Sequence, residues 1–151
     1  IHGLPDLLPS GAGSDVRRNI EVVDISVQKL EAALRMRLTA VDVIVESGLD
    51  GIIATNTTIE RQGLRSDENL TKEAGGLSGK PLRERSTEVI RFLVKHSGGT
   101  FPVIGVGGIH SPEDALEKLK AGASLVQIWT GFIYEGPGLI RRINKAVIAS
   151  S

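Results

Sequence analysis

The stretch Phe101–Asp114, FPVIGVGGIHSPED, changes pattern three times in fourteen residues. Phe101 to Val106 is a short apolar run of the kind that forms a parallel strand buried on both faces, and Pro102 is tolerable at its start. Gly107-Gly108 interrupts the run. Ser111 then reads as an N-cap, Pro112 as the first helical residue, and Glu113 and Asp114 as acids suited to the positive end of a helix. Ala115, Leu116 and Leu119 would form the inner face of that helix, and Gly122 ends it. Strand, glycine turn and helix make one βα unit.

The unit repeats on both sides. Gly51 to Thr55, GIIAT, is a second buried strand; a long loop from Asn56 to Gly79 follows, then a helix from about Leu82 to His96 with Leu82, Val89, Ile90, Leu93 and Val94 inward. Gly98-Gly99 stops it. Ser124 to Trp129, SLVQIW, is a third strand, and Gly136 to Ile148 a last helix buried through Leu139, Ile140, Ile143 and Val147. Before residue 50 the pattern differs. Gly3 to Asp15 is loop-like, and the residues after it up to Ser47 carry a helical period, with Val27, Leu30, Leu34, Leu38, Val41 and Val45 on one face. The reading is an α/β fold of about three βα units preceded by a helical segment. Alternation of this kind makes a parallel sheet. Three strands are too few for a doubly wound domain and far short of the eight strands and ~250 residues of a complete (β/α)8 TIM barrel. Part of such a barrel, in one domain over 1–151, fits better.

Composition narrows the function classes. Lys plus Arg number 18 and Asp plus Glu 18, so the formal net charge is zero and no nucleic-acid surface is indicated. The absence of cysteine removes disulfides, thiolate metal sites and a cysteine nucleophile, and fits a reducing compartment. No apolar run reaches the ~18 residues of a membrane span, so this chain alone is expected to be soluble. It opens on Ile1 and its one methionine is Met36, which reads as a piece of a longer protein.

Ligands of parallel α/β proteins bind at the C-terminal ends of the strands. Here those ends are Thr55-Asn56-Thr57-Thr58, Gly107-Gly108 and Trp129-Thr130-Gly131. The glycine pair, beside Thr130-Gly131 and leading to a helix N-terminus, reads either as a phosphate cradle or as a tight turn and nothing more. Asn56, Thr57 and Thr58 could hydrogen-bond a planar polar ligand, although the residues by themselves favour Asx and Ser/Thr turns. Trp129 could stack on a ring or simply close a strand in the core. His2, His96 and His110 are scattered without metal-ligand spacing, so no metal site and no catalytic histidine is assigned. Arg65, Asp67, Glu68 and Lys72 read as solvated, in a loop long enough to act as a lid or binding loop. Gly75–Leu82, GGLSGKPL, has Pro81 where a Walker loop needs Ser or Thr. The sequons at 56–58 and 69–71 read as chance.

Five motifs in order closely resemble the C-terminal third of the dihydroorotate dehydrogenases, the flavin enzymes of pyrimidine synthesis: DGIIATNTT (50–58), GGLSGKPL (75–82), STEVIR (86–91), PVIGVGGI (102–109) and AGASLVQIWTGFIYEGP (121–137). The likeness spans about residues 41 to 149, leaving 1–40 poorly matched. GGLSGKPL and LVQIWTGF are similar to the class 2, quinone-linked form; tyrosine is common where Trp129 stands. The resemblance implies that Thr55, Gly79, Gly107, Gly108, Trp129 and Thr130 border FMN, the N–H groups near Gly108 and Thr130 holding its phosphate and Gly79 sparing the flavin a collision. Asn56 and Thr57 would contact dihydroorotate or orotate. Hydride would pass to FMN and electrons leave to a quinone, on the cytoplasmic face of a bacterial inner membrane or on the mitochondrial inner membrane.

The family's catalytic base, a serine in class 2, and its flavin-contacting lysine come from earlier strands than those read here. PDLL (5–8) is similar to a turn that follows the lysine strand, but its spacing to Asp50 is too long. The isolated chain is therefore expected to be an inactive fragment, with the rest of the barrel or a second copy covering its open sheet. Two other readings stay open: another FMN- or phosphate-binding barrel, and a non-catalytic assembly remnant.

Overall fold

The computed structural model describes residues 22–24, 42 and 48–150. Four strands, β1 Val22–Asp24, β2 Gly51–Ala54, β3 Val103–Val106 and β4 Leu125–Gln127, lie side by side in chain order. Every pairing is parallel, with Val22 opposite Gly51, Ile52 opposite Val103 and Ile104 opposite Leu125. Neighbours in space that are also neighbours in sequence are the arrangement of a barrel wall. The helices are α1 Glu68–Thr71, α2 Arg83–Ser97, α3 Pro112–Lys120, α4 Thr130–Glu135 and α5 Gly138–Ser150, and a single 3-10 turn, Lys80–Leu82, leads into α2.

Alternation along the strands divides the side chains between two faces. Ile52, Ala54 and Val103 meet Val89, Ile90 and Leu93 of α2, closed below by Phe101, Ala121 and Ala123. A second cluster, Ile109, Ala115, Leu139 and Ile143 with half-buried Val126 and Ile128, seats α3 and α5. On the opposite face Ile53, Ile104 and Gln127 are half-buried and Leu125 is 63% exposed, so the lumen side of this wall is largely bare.

α3 starts as its sequence predicts. Ser111 Oγ accepts from Asp114 N at 3.2 Å, and the Asp114 carboxylate accepts from Ser111 N at 3.0 Å, a reciprocal capping box with Pro112 in the first turn. Its inner face differs from the expected one. Ala115 is buried, but Leu116 and Leu119 are only half-buried, and the most deeply placed side chain is Lys118, with no exposed surface.

The number of strands and the inner face of the last helix also differ from expectation. β1 lies among residues read as helical, which makes four strands rather than three; a Val-Val pair is too short to show a period, and β2 supplies its hydrogen bonds. The apolar face built from Val27, Leu30, Leu34, Leu38, Val41 and Val45 lies outside the described residues. The last helix runs Gly138–Ser150, within two residues of its expected Gly136 to Ile148, and a short helix that the sequence did not announce, α4 Thr130–Glu135, precedes it without a side-chain cap and ends at Gly136. On α5, Leu139 and Ile143 are buried and Ile140 is 45% exposed. Among the described residues no helix is long and apolar enough to cross a membrane.

Ile90 has no exposed surface and sits between the sheet and α2, so Ile90→Ala should cost about 2–5 kcal/mol. Ile140→Ala, on the outer side of α5, should cost under about 1 kcal/mol. Urea denaturation of the two variants measures the difference.

Candidate functional site

Parallel pairing brings all the strand C-termini to one edge, and a cavity of about 380 Å³ opens there. β2 contributes Ile53 and, just past its end, Thr55, Asn56 and Thr57. β3 leads into Gly107 and Gly108. β4 supplies Gln127 and leads to Trp129, Thr130 and Gly131, and the returning loop adds Ser78 and Gly79. The eight residues singled out in the sequence, Thr55, Asn56, Thr57, Gly79, Gly107, Gly108, Trp129 and Thr130, thus line one cavity.

Thr55 is 3% exposed, and its N–H donates to Val106 O at 2.9 Å. Its Oγ1 is buried without a hydrogen-bond partner among the described residues. A buried hydroxyl left this way loses its hydration for nothing unless a ligand supplies the bond. Asn56 and Thr58 make the local turn bonds their residue types favour: Asn56 Oδ1 accepts from Thr57 N at 2.6 Å, and Thr58 Oγ1 accepts from Glu60 N at 3.1 Å.

The neck of the long loop is paired twice. Thr58 and Leu77 exchange backbone bonds of 3.0 and 2.7 Å, and Arg61 donates to Gly75 O at 2.6 Å and to Thr58 O at 3.1 Å. Arg65, Asp67, Glu68 and Lys72 are exposed, Asp67 capping α1 and Lys72 pairing with Glu68 at 2.9 Å.

Two glycine positions have structural reasons of their own. Gly79 has φ +85°, a conformation that L side chains rarely adopt, and a Cβ there would stand 3.2 Å from Thr130 Cγ2. Thr130 Oγ1 in turn donates to Ser78 Oγ at 2.9 Å, tying the loop to α4. Gly107 and Gly108 both have positive φ, and a Cβ on Gly108 would stand 2.4 Å from Arg83 Cα. The pair is therefore a tight turn pressed on the first turn of α2, and it still lines the cavity. Beside it α4 begins at Thr130, and its first backbone bond runs from Phe132 N to Trp129 O at 3.0 Å, leaving the N–H groups of Thr130 and Gly131 ahead of that bond.

Trp129 is 68% exposed, so the reading of it as core is wrong; it forms the rim of the cavity. Gln127 and Ser78 went unnoticed as lining residues. Period 2 was the available signal for Gln127, since Val126 beside it packs towards the helices and leaves the amide to the lumen side. His110, to which no role was given, is buried with Nδ1 unpartnered among the described residues and its ring edge-on to Tyr134. No cluster of side chains suited to a metal ion occurs among the described residues.

Behind the cavity, burial pushes the Asp114 carboxyl up, but the His110 N–H, the Arg83 guanidinium and the Ser111 bond outweigh it and hold it below the usual range. Arg83 is raised through its hydrogen bond and charge pairing with Asp114. Burial pushes the Lys118 ammonium down to about 8.

A parallel α/β wall in chain order, with a cavity at its strand ends, is the arrangement of part of a TIM barrel. The chain belongs to the dihydroorotate dehydrogenase family, whose model matches residues 31–150. It is 61% identical over 108 residues to a dihydroorotate dehydrogenase (quinone) of Christiangramia forsetii, covering 72% of this chain and 31% of that protein. It is 48% identical over 134 residues to one of Thermosynechococcus vestitus, covering 85% and 35%. The crystal structure of a ligand-free DHODH from Eimeria tenella superposes with a TM-score of 0.67 at 41% identity, covering 72% of this chain and 30% of that one. The chain spans about a third of the length of the curated relatives it matches.

Lys118 yields a pH prediction. An unfolded lysine titrates near 10.5 and the folded one near 8, so burial of the charge costs its full penalty below pH 8 and the penalty fades as pH rises from 8 to 10.5. Stability should therefore rise by roughly 1 kcal/mol between pH 7.5 and 9. Urea denaturation across that range should find the rise missing in Lys118→Met.

Proposed function

We propose that this chain forms the cofactor- and substrate-holding wall of a quinone-linked dihydroorotate dehydrogenase, the enzyme that oxidises dihydroorotate to orotate in pyrimidine biosynthesis. One observation carries the reading: residues from three strand ends and one loop line a single cavity, and a buried hydroxyl there, Thr55 Oγ1, has no protein partner among the described residues.

The cavity suits FMN. Gly79 lines the cavity where the ring would lie, the Gly107-Gly108 turn with the N–H groups near Thr130 would suit its phosphate, and the Thr55 hydroxyl has a bond to give. The chemistry FMN supplies there is acceptance of a hydride from dihydroorotate and release of electrons to a quinone. Trp129, on the rim of the cavity, would wall the ring on its exposed side. Asn56 and Thr57 hold the orotate ring by amide and hydroxyl bonds, their loop closed by the Thr58–Leu77 pair and Arg61. The proton that leaves with the hydride goes to a base outside these residues. Next to Trp129, α4 exposes Ile133 and Tyr134 at 79% each, a surface of the same apolar character as a quinone. The complete enzyme acts peripherally on a membrane, where its acceptor resides.

A second reading is favoured by the bare lumen face. Leu125, 63% exposed on the strand that ends the sheet among the described residues, invites cover, either from the rest of a barrel or from a second copy in a non-catalytic assembly. A yellow preparation whose flavin absorbance survives gel filtration favours the enzyme; a colourless stable oligomer favours the assembly.

Thr55→Val in the full-length protein should weaken FMN about five- to tenfold, read by flavin fluorescence on titration; unchanged affinity would remove Thr55 from the cofactor site. Residues 1–151 alone should give no dihydroorotate-dependent reduction of a quinone analogue. Robust turnover by the pure chain would overturn the assignment of the base to another part of the protein.

A further inference from the structure

Arg83, Asp114 and Lys118 meet behind the cavity, and none of them lines it. Their link to it is steric. A Cβ on Gly108 would stand 2.4 Å from Arg83 Cα, and one on Gly107 would stand 3.0 Å from Ser86 Cβ, so the glycine turn rests on the backbone of the first turn of α2. Where Arg83 sits, the turn must sit.

Two side chains of α3 hold Arg83. Lys118 Nζ donates to Arg83 O and to Thr87 Oγ1, both at 2.6 Å, while Thr87 Oγ1 donates to the same carbonyl at 3.0 Å. Asp114 Oδ1 accepts from Arg83 Nη1 at 3.1 Å. Asp114 Oδ2 accepts from the N–H groups of His110 at 2.9 Å and Ser111 at 3.0 Å, just beyond the glycine pair. The turn is thus tied at its far end by Asp114 and supported from beneath by a residue that Asp114 and Lys118 both grip. Arg83 also faces Glu84 at 3.6 Å and Glu117 at 3.9 Å, so its charge is met on the helix side. An anion at the turn must then rely on backbone N–H groups, whose direction follows the turn.

A buried ammonium is an expensive way to fill this space, since an apolar side chain of similar length would avoid the desolvation. What the ammonium adds is direction: two short hydrogen bonds from α3 to one turn of α2. We infer that Lys118 and Asp114 are positioning residues for the phosphate end of the flavin, setting the Gly107-Gly108 turn through Arg83. This rests on the FMN reading of the cavity.

The test compares FMN with riboflavin, which has the same ring and ribityl chain but no phosphate. Dissociation constants are measured by flavin fluorescence on the full-length protein freed of flavin, with thermal midpoints alongside. In Lys118→Met and in Asp114→Asn, FMN should bind at least tenfold more weakly while riboflavin changes less than twofold. Equal weakening of both flavins, or no change in either, would overturn the inference, because a general loss of packing cannot single out the phosphate. If Lys118→Met does not fold, the same ratio in Asp114→Asn decides. A wild-type protein that binds both flavins equally would sink the phosphate reading itself, and a wild-type preference for FMN left intact in the variants would sink only the role of Lys118 and Asp114.

Discussion

The parallel hydrogen bonding of β3 between β2 and β4 is the interaction on which the rest depends. Parallel strands all end at the same edge, and each must be joined to the next by a crossover that returns to the opposite edge. The residues just past the strands, Thr55, Gly107 and Thr130, are far apart in the chain and adjacent in space for that reason alone. The helices fill the outer face and leave the strand ends free, so the edge that packing does not need is the edge at which a ligand can bind.

Support for that edge comes from beneath as well as from the sheet. Ser86 Oγ donates to Val106 O at 2.5 Å, pinning the end of β3 to α2, and the Arg83, Asp114 and Lys118 cluster pins the following turn to α3. These polar contacts do what apolar packing cannot, because a hydrogen bond fixes direction as well as distance. On the other side of the cavity the loop neck is held by backbone pairing at Thr58 and Leu77 and by Arg61. Strand ends pinned by hydrogen bonds and a loop neck paired twice together set the walls of the cavity.

Much of this was legible in the sequence. GIIAT, FPVIGV and SLVQIW are apolar runs of strand length, and Ser111-Pro112-Glu113-Asp114 reads as a helix start, which the structure shows with Ser111 as the N-cap. The cavity-lining residues Thr55, Asn56, Thr57, Gly107, Gly108, Trp129 and Thr130 were legible because they stand at or just past the ends of those runs, while Gly79 comes from the loop. Lys118 was not, since a lysine on a helix is assigned to solvent by default and only the acceptors Arg83 O and Thr87 Oγ1, more than thirty residues away, make its burial tolerable. Trp129 misled in the opposite sense: large aromatic residues usually close cores, and here the residue stands just past β4 on the rim of the cavity, 68% exposed. β1 left no periodic trace because three residues cannot show one, and its partner strand lies beyond any local window.

By itself the sequence determined the βα alternation, the capped start of α3, the core face of α2 and the set of residues at the strand ends, all properties carried by neighbours within a few positions. Only the tertiary structure decided that those ends share one cavity, that Gly108 bears on the backbone of Arg83, that Thr55 Oγ1 is left without a partner and that a lysine lies at the centre. These are contacts between segments distant in the chain, set by strand pairing and helix packing, and no pattern of neighbouring residues encodes them.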